Sequence, residues 1–497
     1  MSTKVIKSIT FLKDHWFGAC VILVILLSVI LRFYNYDNRW SLAHDQARDA
    51  LIGREALRQH KIPTLGPFTS QSAFVMGPIW YWLVAVATIL YPWSILTPWI
   101  VLSLSYVLVV YLMILIGKEL GGKRLGLVVG LLAAISPSQI AQSVDLTNPS
   151  GVSIFSALAI YFSIRYIKTK RNLYLFLFPF FIAMAINIHL QAIGLVSLIL
   201  VSIILQRPGK KGLAALFSGF VLPFLPLIVF DLKHNFYNLR SLIDYYLYGQ
   251  YRIYVPNRWL TYAGSYWPSA WGHIIGGQTI LGYISIFLIS IFTVYSTVQR
   301  KMTRPLLLII LSFLLIFILL RFYRGERLDS YLIFVNPLVI ILTGWVTYSL
   351  FKFKRILGLL LFIFLLIGSI SKDISNILNS TNYASYQARH WEKVLTKLYP
   401  HEKFKVYDYE RKFGYATLPL SLYLDFNSKI DDNGMAVGIG VITDTKSTYP
   451  RILDDQGGWI YDLSGSSSAE LAKAKWFLVN PSSIYKATEE WYFGKDL

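Results

Sequence analysis

At 497 residues, with 55% apolar, 16% aromatic and only 15% charged side chains, the chain is too apolar for a water-soluble globule. Its formal net charge of +20 does not mark a nucleic-acid binder. Residues 1–370 carry 32 basic against 11 acidic side chains, largely in short loops between apolar runs, whereas 371–497 carry 15 against 16.

That bias is the positive-inside signature of a polytopic helical membrane protein. Lys4, Lys7 and Lys13 precede a first span from about Trp16 to Phe33, read as an uncleaved signal anchor with a cytoplasmic N-terminus. The lone cysteine, Cys20, lies inside it and excludes an intrachain disulfide. Basic segments "KTKRN" (168–172), "QRPGKKG" (206–212), "QRKMTR" (299–304) and "FKFKR" (351–355) mark the cytoplasmic side. They bound crossings near 151–167, 173–186, 192–205, 213–230, 279–297, 305–322, 329–349 and 356–370. Alternation then places 34–76, 136–150, 187–191, 231–278 and 323–328 outside, with everything after 371.

One section breaks the parity. Two apolar runs, 77–92 and 98–116, separate the outer loop from "KELGGKR", a cytoplasmic sequence ending at Arg124. One of them, or the run 125–135, must be partial or re-entrant, and 11 to 13 helices are predicted. The spans 173–186 and 192–205 are short, so the break at "INIHLQAIG" is expected to be buried among helices. Beyond a transmembrane domain of residues 1–370, the segment 371–497 reads as a small extracytoplasmic α+β domain. It has an amphipathic "YQARHWEKVLTKL" and strand-like "KFKVYDY", "GMAVGIGVIT" and "AKWFLVN".

Most acids of the membrane part fall on the outer side. Asp45 and Asp49 are four residues apart, and a helix over "SLAHDQARDALIGREALRQH" puts both on one face, with Arg48 adjacent. The segment is amphipathic and is expected to lie along the membrane surface, with Asp49, Arg54, Glu55 and Arg58 on its solvated face. Asp45, behind His44 at the helix start, is the candidate for chemistry. In the second outer loop, Asp145 joins it, while Asn148 of "NPS" is either a helix cap or a substrate contact. His189, between Asn187 and Gln191 at membrane depth, is a further candidate. Arg321, Arg324 and Arg327 crowd an outer helix end, where an anionic ligand would explain them. Aromatic residues of 236–271 are read as interfacial anchors or sugar platforms.

The order "DQARD…LGPFTS…GPIWYWL", then "SVDLTNPS" and "NIHLQA", resembles the GT-C glycosyltransferases over about residues 15–350. Within them it looks like a divergent prokaryotic branch of the protein O-mannosyltransferase and lipid A aminoarabinose transferase group. The resemblance implies an all-α polytopic GT-C-like fold for the membrane part, ahead of the small C-terminal α+β domain read above. It also implies a polyprenyl-phosphate sugar donor and a hydroxyl acceptor (protein, lipid or glycan) at the outer face of the plasma membrane. Asp45 matches the family's catalytic carboxylate and Asp145 an acidic position of the second outer loop. His44, Arg48, Tyr81 of "GPIWYWL", Asn148 and His189 complete the expected substrate contacts. Many relatives have "KPP" before the second span, where this chain has Met76-Gly77-Pro78. The donor phosphate then falls to Arg324 and Arg327. No metal is expected as essential, although His44, Asp45 and Asp49 are the place where a divalent cation would sit. The competing readings are a transporter or flippase for a lipid-linked or anionic substrate, with Asp45 and His189 in a proton relay, and a membrane scaffold.

Overall fold

The computed structural model describes residues 3–69, 73–249, 259–323, 329–409, 414–440, 449–455 and 458–490. Among them, eight helices are long and apolar enough to cross a membrane: His15–Phe33, Thr97–Gly121, Asn148–Thr169, Lys210–Lys233, Thr279–Val298, Arg304–Phe322, Asp329–Phe353 and a stretch beginning at Arg355. Shorter apolar helices cover Ile79–Leu90, Asn172–Ile188 and Leu190–Gln206. This is a multi-pass membrane protein, and the helices coincide with the spans read from the loops.

The parity problem resolves at Ile79–Leu90. Its 12 residues rise about 18 Å, well short of a hydrocarbon core of about 30 Å. It lies instead along the His44–Arg58 helix: a Cβ on Gly53 would meet Val84, and the Trp80 indole reaches Asp49. The Lys123–Ala134 helix is as short, yet it follows the first span for most of its depth. Lys123 sits over the Phe17 ring near one end, and Arg32 donates to the Ala134 carbonyl at the other. Gly122, at φ 86°, makes the reversal before this helix. Gly126 then lets its backbone approach the preceding helix more closely than any side chain would allow. Beside the eight long helices stand Lys123–Ala134 and the two short apolar helices that flank His189.

The break at His189 is buried and its backbone is satisfied. Asn187 accepts from Ile79 N through its side chain (3.2 Å) and from Gly77 N through its carbonyl (2.9 Å), and it donates to Pro223 O (3.0 Å). The Ile188 carbonyl takes the Asn148 amide at 2.9 Å. Irregular backbone therefore persists at membrane depth because neighbouring segments complete its hydrogen bonds.

The Arg355–Leu378 helix leads into Tyr383–Leu398 and then a five-stranded sheet. Strands β1 (Phe404–Tyr409), β2 (Met435–Gly440), β3 (Arg451–Asp455), β4 (Gly458–Asp462) and β5 (Trp476–Leu478) are ordered β3-β4-β2-β1-β5, with β1 and β2 parallel. Trp391, Leu395, Phe404, Val406, Leu424, Val437 and Ile460 form an apolar core between this sheet and its helices. Strands β1, β2 and β5 fall on the three strand-like segments, whereas β3 and β4 escaped notice.

Candidate active site

The His44–Arg58 helix starts without a cap oxygen, because its N-cap is Ala43. Gln46 substitutes: its Oε1 accepts from Ala43 N at 3.1 Å, and its Nε2 donates to Asp145 Oδ1 at 2.5 Å and to Ser41 Oγ at 3.3 Å. Ser41 N in turn donates to Val144 O at 2.9 Å. The two outer loops singled out in the sequence are thus stitched together by the first turn of this helix, which brings Asp145 beside the Asp45 turn.

Arg48 sits between the two acids of the helix. Its Nη1 donates to Asp45 Oδ1 at 2.8 Å, and its Nε and Nη2 donate to Asp49 Oδ1 at 2.9 and 2.7 Å. The Phe68 ring lies 5.5 Å from the guanidinium carbon. Asp49 Oδ2 accepts from Trp80 Nε1 at 2.6 Å. The Asp49 side chain is fully buried and that of Arg48 nearly so, while Asp45 remains 57% exposed. His44 Nδ1 is 3.2 Å from Asp45 Oδ1. Both contacts to Asp45 therefore use Oδ1, and Oδ2 accepts no bond among the described residues.

These placements separate the two carboxyls chemically. The Arg48 guanidinium beside Asp45, reinforced by His44, holds that carboxyl well below the usual carboxylate range, so it is ionised at any physiological pH. Burial pushes Asp49 up to about 6, against the pull of Arg48 and the indole. Arg48 is pressed towards neutrality by burial, but the acids around it outweigh that and keep it a cation. Burial likewise raises Asp145, opposed by its bond from Gln46.

Asp49 corrects the sequence reading. Both it and Glu55 are buried, and neither lies on a solvated face. The position between Asp45 and Asp49, where a divalent cation was considered, is filled by the Arg48 guanidinium; among the described residues no group of three His, Cys, Asp or Glu side chains could hold a metal. Arg48 itself has three nitrogens on carboxylates, which makes it an orienting cation. Tyr81 is fully buried, and its hydroxyl makes no hydrogen bond among the described residues. Asn148 starts a short 3₁₀ helix, and its amide braces the His189 break. His189 is buried edge-on to Tyr331, ring centroids 4.8 Å apart, and makes no bond to the acid cluster. Arg324 and Arg327 lie outside the described residues. Of the aromatic residues in 236–271, Tyr262, Trp267 and Trp271 are buried in the helix core, so they serve neither as interfacial anchors nor as a sugar platform.

No family model matches the sequence, and no curated relative does either. Solved structures match it. ArnT from Cupriavidus metallidurans, a lipid A aminoarabinose transferase, aligns in its apo state with a TM-score of 0.63 at 12% identity, over 90% of this chain and 98% of ArnT. Its form bound to undecaprenyl phosphate aligns equally well, over 89% and 97%. The chain has the GT-C fold. The apo oligosaccharyltransferase of Archaeoglobus fulgidus shares it at a TM-score of 0.53 and 14% identity, over 88% of this chain and 70% of that one.

Gln46, Phe68 and Trp80 were missed as site residues. Trp80 had a signal, since it belongs to the "GPIWYWL" run, but only its position beside Asp49 distinguishes it from its apolar neighbours. Asp373 also went unnoticed. It is buried near Arg32 and Arg39 and, with Asp145, lines a cavity of about 560 Å³.

Proposed function

We propose that the chain is an inverting glycosyltransferase that moves a sugar from a polyprenyl-phosphate donor to a hydroxyl acceptor on the outer face of the plasma membrane. The observation that carries this is an exposed carboxylate, Asp45, held through Oδ1 by Arg48 and with Oδ2 unbonded among the described residues, in a chain with the GT-C fold. Matching GT-C structures hold undecaprenyl phosphate or dolichol-phosphate, which supports a lipid-linked donor here.

In this reading the acceptor oxygen attacks the anomeric carbon, and its proton passes to Asp45 Oδ2. The bond from that carbon to the phosphate oxygen breaks, and its electron pair leaves with polyprenyl phosphate. A carboxylate of such low basicity suits proton uptake late in the transition state, when the hydroxyl has become acidic through attack. Arg48 keeps the acid oriented through Oδ1, and Asp49 with Trp80 keeps Arg48 in place. Arg324 and Arg327 are proposed to meet the charge developing on the departing phosphate. Asp145, tied to the same turn through Gln46, is proposed to hold the acceptor side, and His44, Tyr81, Asn148 and His189 to line the substrate path. Single displacement inverts the anomeric centre. The positive-inside bias supports a cytoplasmic N-terminus. The C-terminal domain, bonded to the Asp45 helix, is then outside.

The test is purified protein with a radiolabelled polyprenyl-phosphate hexose. Release of free polyprenyl phosphate, to water or to an added alcohol, supports the transferase; retention of intact donor across a series of sugars refutes it and returns the transporter reading.

A further inference from the structure

The His44–Arg58 helix is gripped at both ends, and the grip on its last turns comes from the C-terminal domain. Arg54 Nε donates to Asp425 Oδ2 at 2.6 Å, and its guanidinium lies 5.2 Å from the Phe426 ring centroid. Arg58 donates to the other oxygen of Asp425 and also to Glu55. Asp425 is buried, at 5% exposure, in the last turn of the Gly414–Phe426 helix. A carboxylate is unfavourable there, because the helix dipole presents its negative end at the C-terminus. Burial makes the placement worse. Among the described residues, the side-chain partners of this acid are the two arginines of the His44–Arg58 helix, and none comes from its own domain.

Further bonds repeat the pattern along the same outer segment. Tyr485 Oη donates to Lys61 O at 2.9 Å, the Asn382 amide donates to Trp40 O, and the Asn35 amide donates to Ile377 O at 2.9 Å. Residues 35–61 are therefore attached to residues beyond Ile370 before, along and after the helix that carries Asp45. The Asp45–Arg48–Asp49 cluster lies on the first two turns of that helix, and the Arg54–Asp425–Arg58 cluster on the next two. A rotation of the helix about its axis would move both.

We infer that the C-terminal domain is a positioning element for the acid at Asp45, and that Asp425 is its positioning residue, fixing the rotation and depth of the His44–Arg58 helix through Arg54 and Arg58. The catalytic part of this inference rests on the proposed function, whereas the structural part does not.

Both parts are tested on the full-length protein in detergent or nanodiscs with Asp425→Asn, Asp425→Glu and the milder Arg58→Ala, which removes one half-exposed cation. In Asp425→Asn, amide hydrogen exchange over 44–58 should rise at least about 10-fold while the crossings keep their protection. Donor turnover should fall in kcat by about 10- to 100-fold, with KM for donor within about 3-fold, because small misplacement of a reacting group has effects of that size. Asp425→Glu, which keeps the carboxylate, should restore most of both, and Arg58→Ala should fall between. Unchanged exchange over 44–58 in Asp425→Asn or, should that variant not fold, in Arg58→Ala overturns the inference. So does faster exchange with unaltered kcat, or a loss confined to KM. If the wild-type protein releases no polyprenyl phosphate, the functional reading falls and the exchange measurement still decides whether Asp425 sets the helix.

Discussion

Trp80→Phe removes one hydrogen-bond donor from Asp49 and little else, since the ring and its apolar surroundings are kept. The indole N–H at 2.6 Å is one of three donors that favour the ionised form of this buried carboxyl. A hydrogen bond to a charged group is worth about 1.5–3 kcal/mol. Divided by about 1.4 kcal/mol per unit, its loss raises the Asp49 pKa from about 6 by about one to two units. At pH 7 the ionised fraction then drops from about 90% to between about 50% and 10%. Protonated Asp49 no longer neutralises Arg48, which turns more fully onto Asp45 and weakens it as a proton acceptor. The acidic limb of kcat/KM for donor turnover is therefore expected near pH 6 in the wild type, moving to about 7–8 in Trp80→Phe. Acid unfolding is separable from this effect. The folded-state pKa of Asp49 is raised above its ordinary value, so this group by itself favours folding more as pH falls through 6, and becomes less favourable above it. A melt at pH 5.5 should thus show no loss attributable to Asp49. An acidic limb that stays in place in Trp80→Phe, with the fold intact, would refute the coupling between Asp49, Arg48 and Asp45.

Arg48→Met leaves Asp49 buried without its cation, and a loss of about 3–5 kcal/mol is expected in a denaturation midpoint; a wild-type midpoint would show that Arg48 does not hold this cluster. Gly77→Ala puts a Cβ into the Asn187 carboxamide, which braces the chain before Ile79 and the Pro223 turn. It is expected to lower stability by about 1–3 kcal/mol, and an unaltered melt would contradict the packing described there.

Apolar runs punctuated by basic loops were enough to read the crossings, because spanning length and cytoplasmic charge are local properties of the chain. The partial helix at Ile79–Leu90 was visible only as a parity conflict. Its position depends on close packing of Val84 against Gly53, which no periodicity reveals. Asp45 and Asp145 stood out in the sequence as acids in two separate loops, which the structure brings together through Gln46, but Asp49 was misjudged. An acid on an amphipathic helix reads as solvated until something covers it. The cover comes from Trp80, 31 residues on, and Arg54 finds its partner Asp425 371 residues away. Strands β3 and β4 were missed for a different reason: "RILDD" and "GWIYD" are short and mixed, and pairing with β2 and with each other stabilises them.

The central claim is that Asp45 Oδ2 takes the proton of the incoming hydroxyl, and Asp45→Asn tests it most directly, with donor binding and donor turnover measured on the same preparation. Binding of the polyprenyl-phosphate hexose should stay within about 3-fold of wild type while turnover falls by about 10²- to 10⁴-fold, the range a positioned general base supplies. Wild-type turnover by Asp45→Asn, or lost binding with the remaining turnover intact, would contradict the claim.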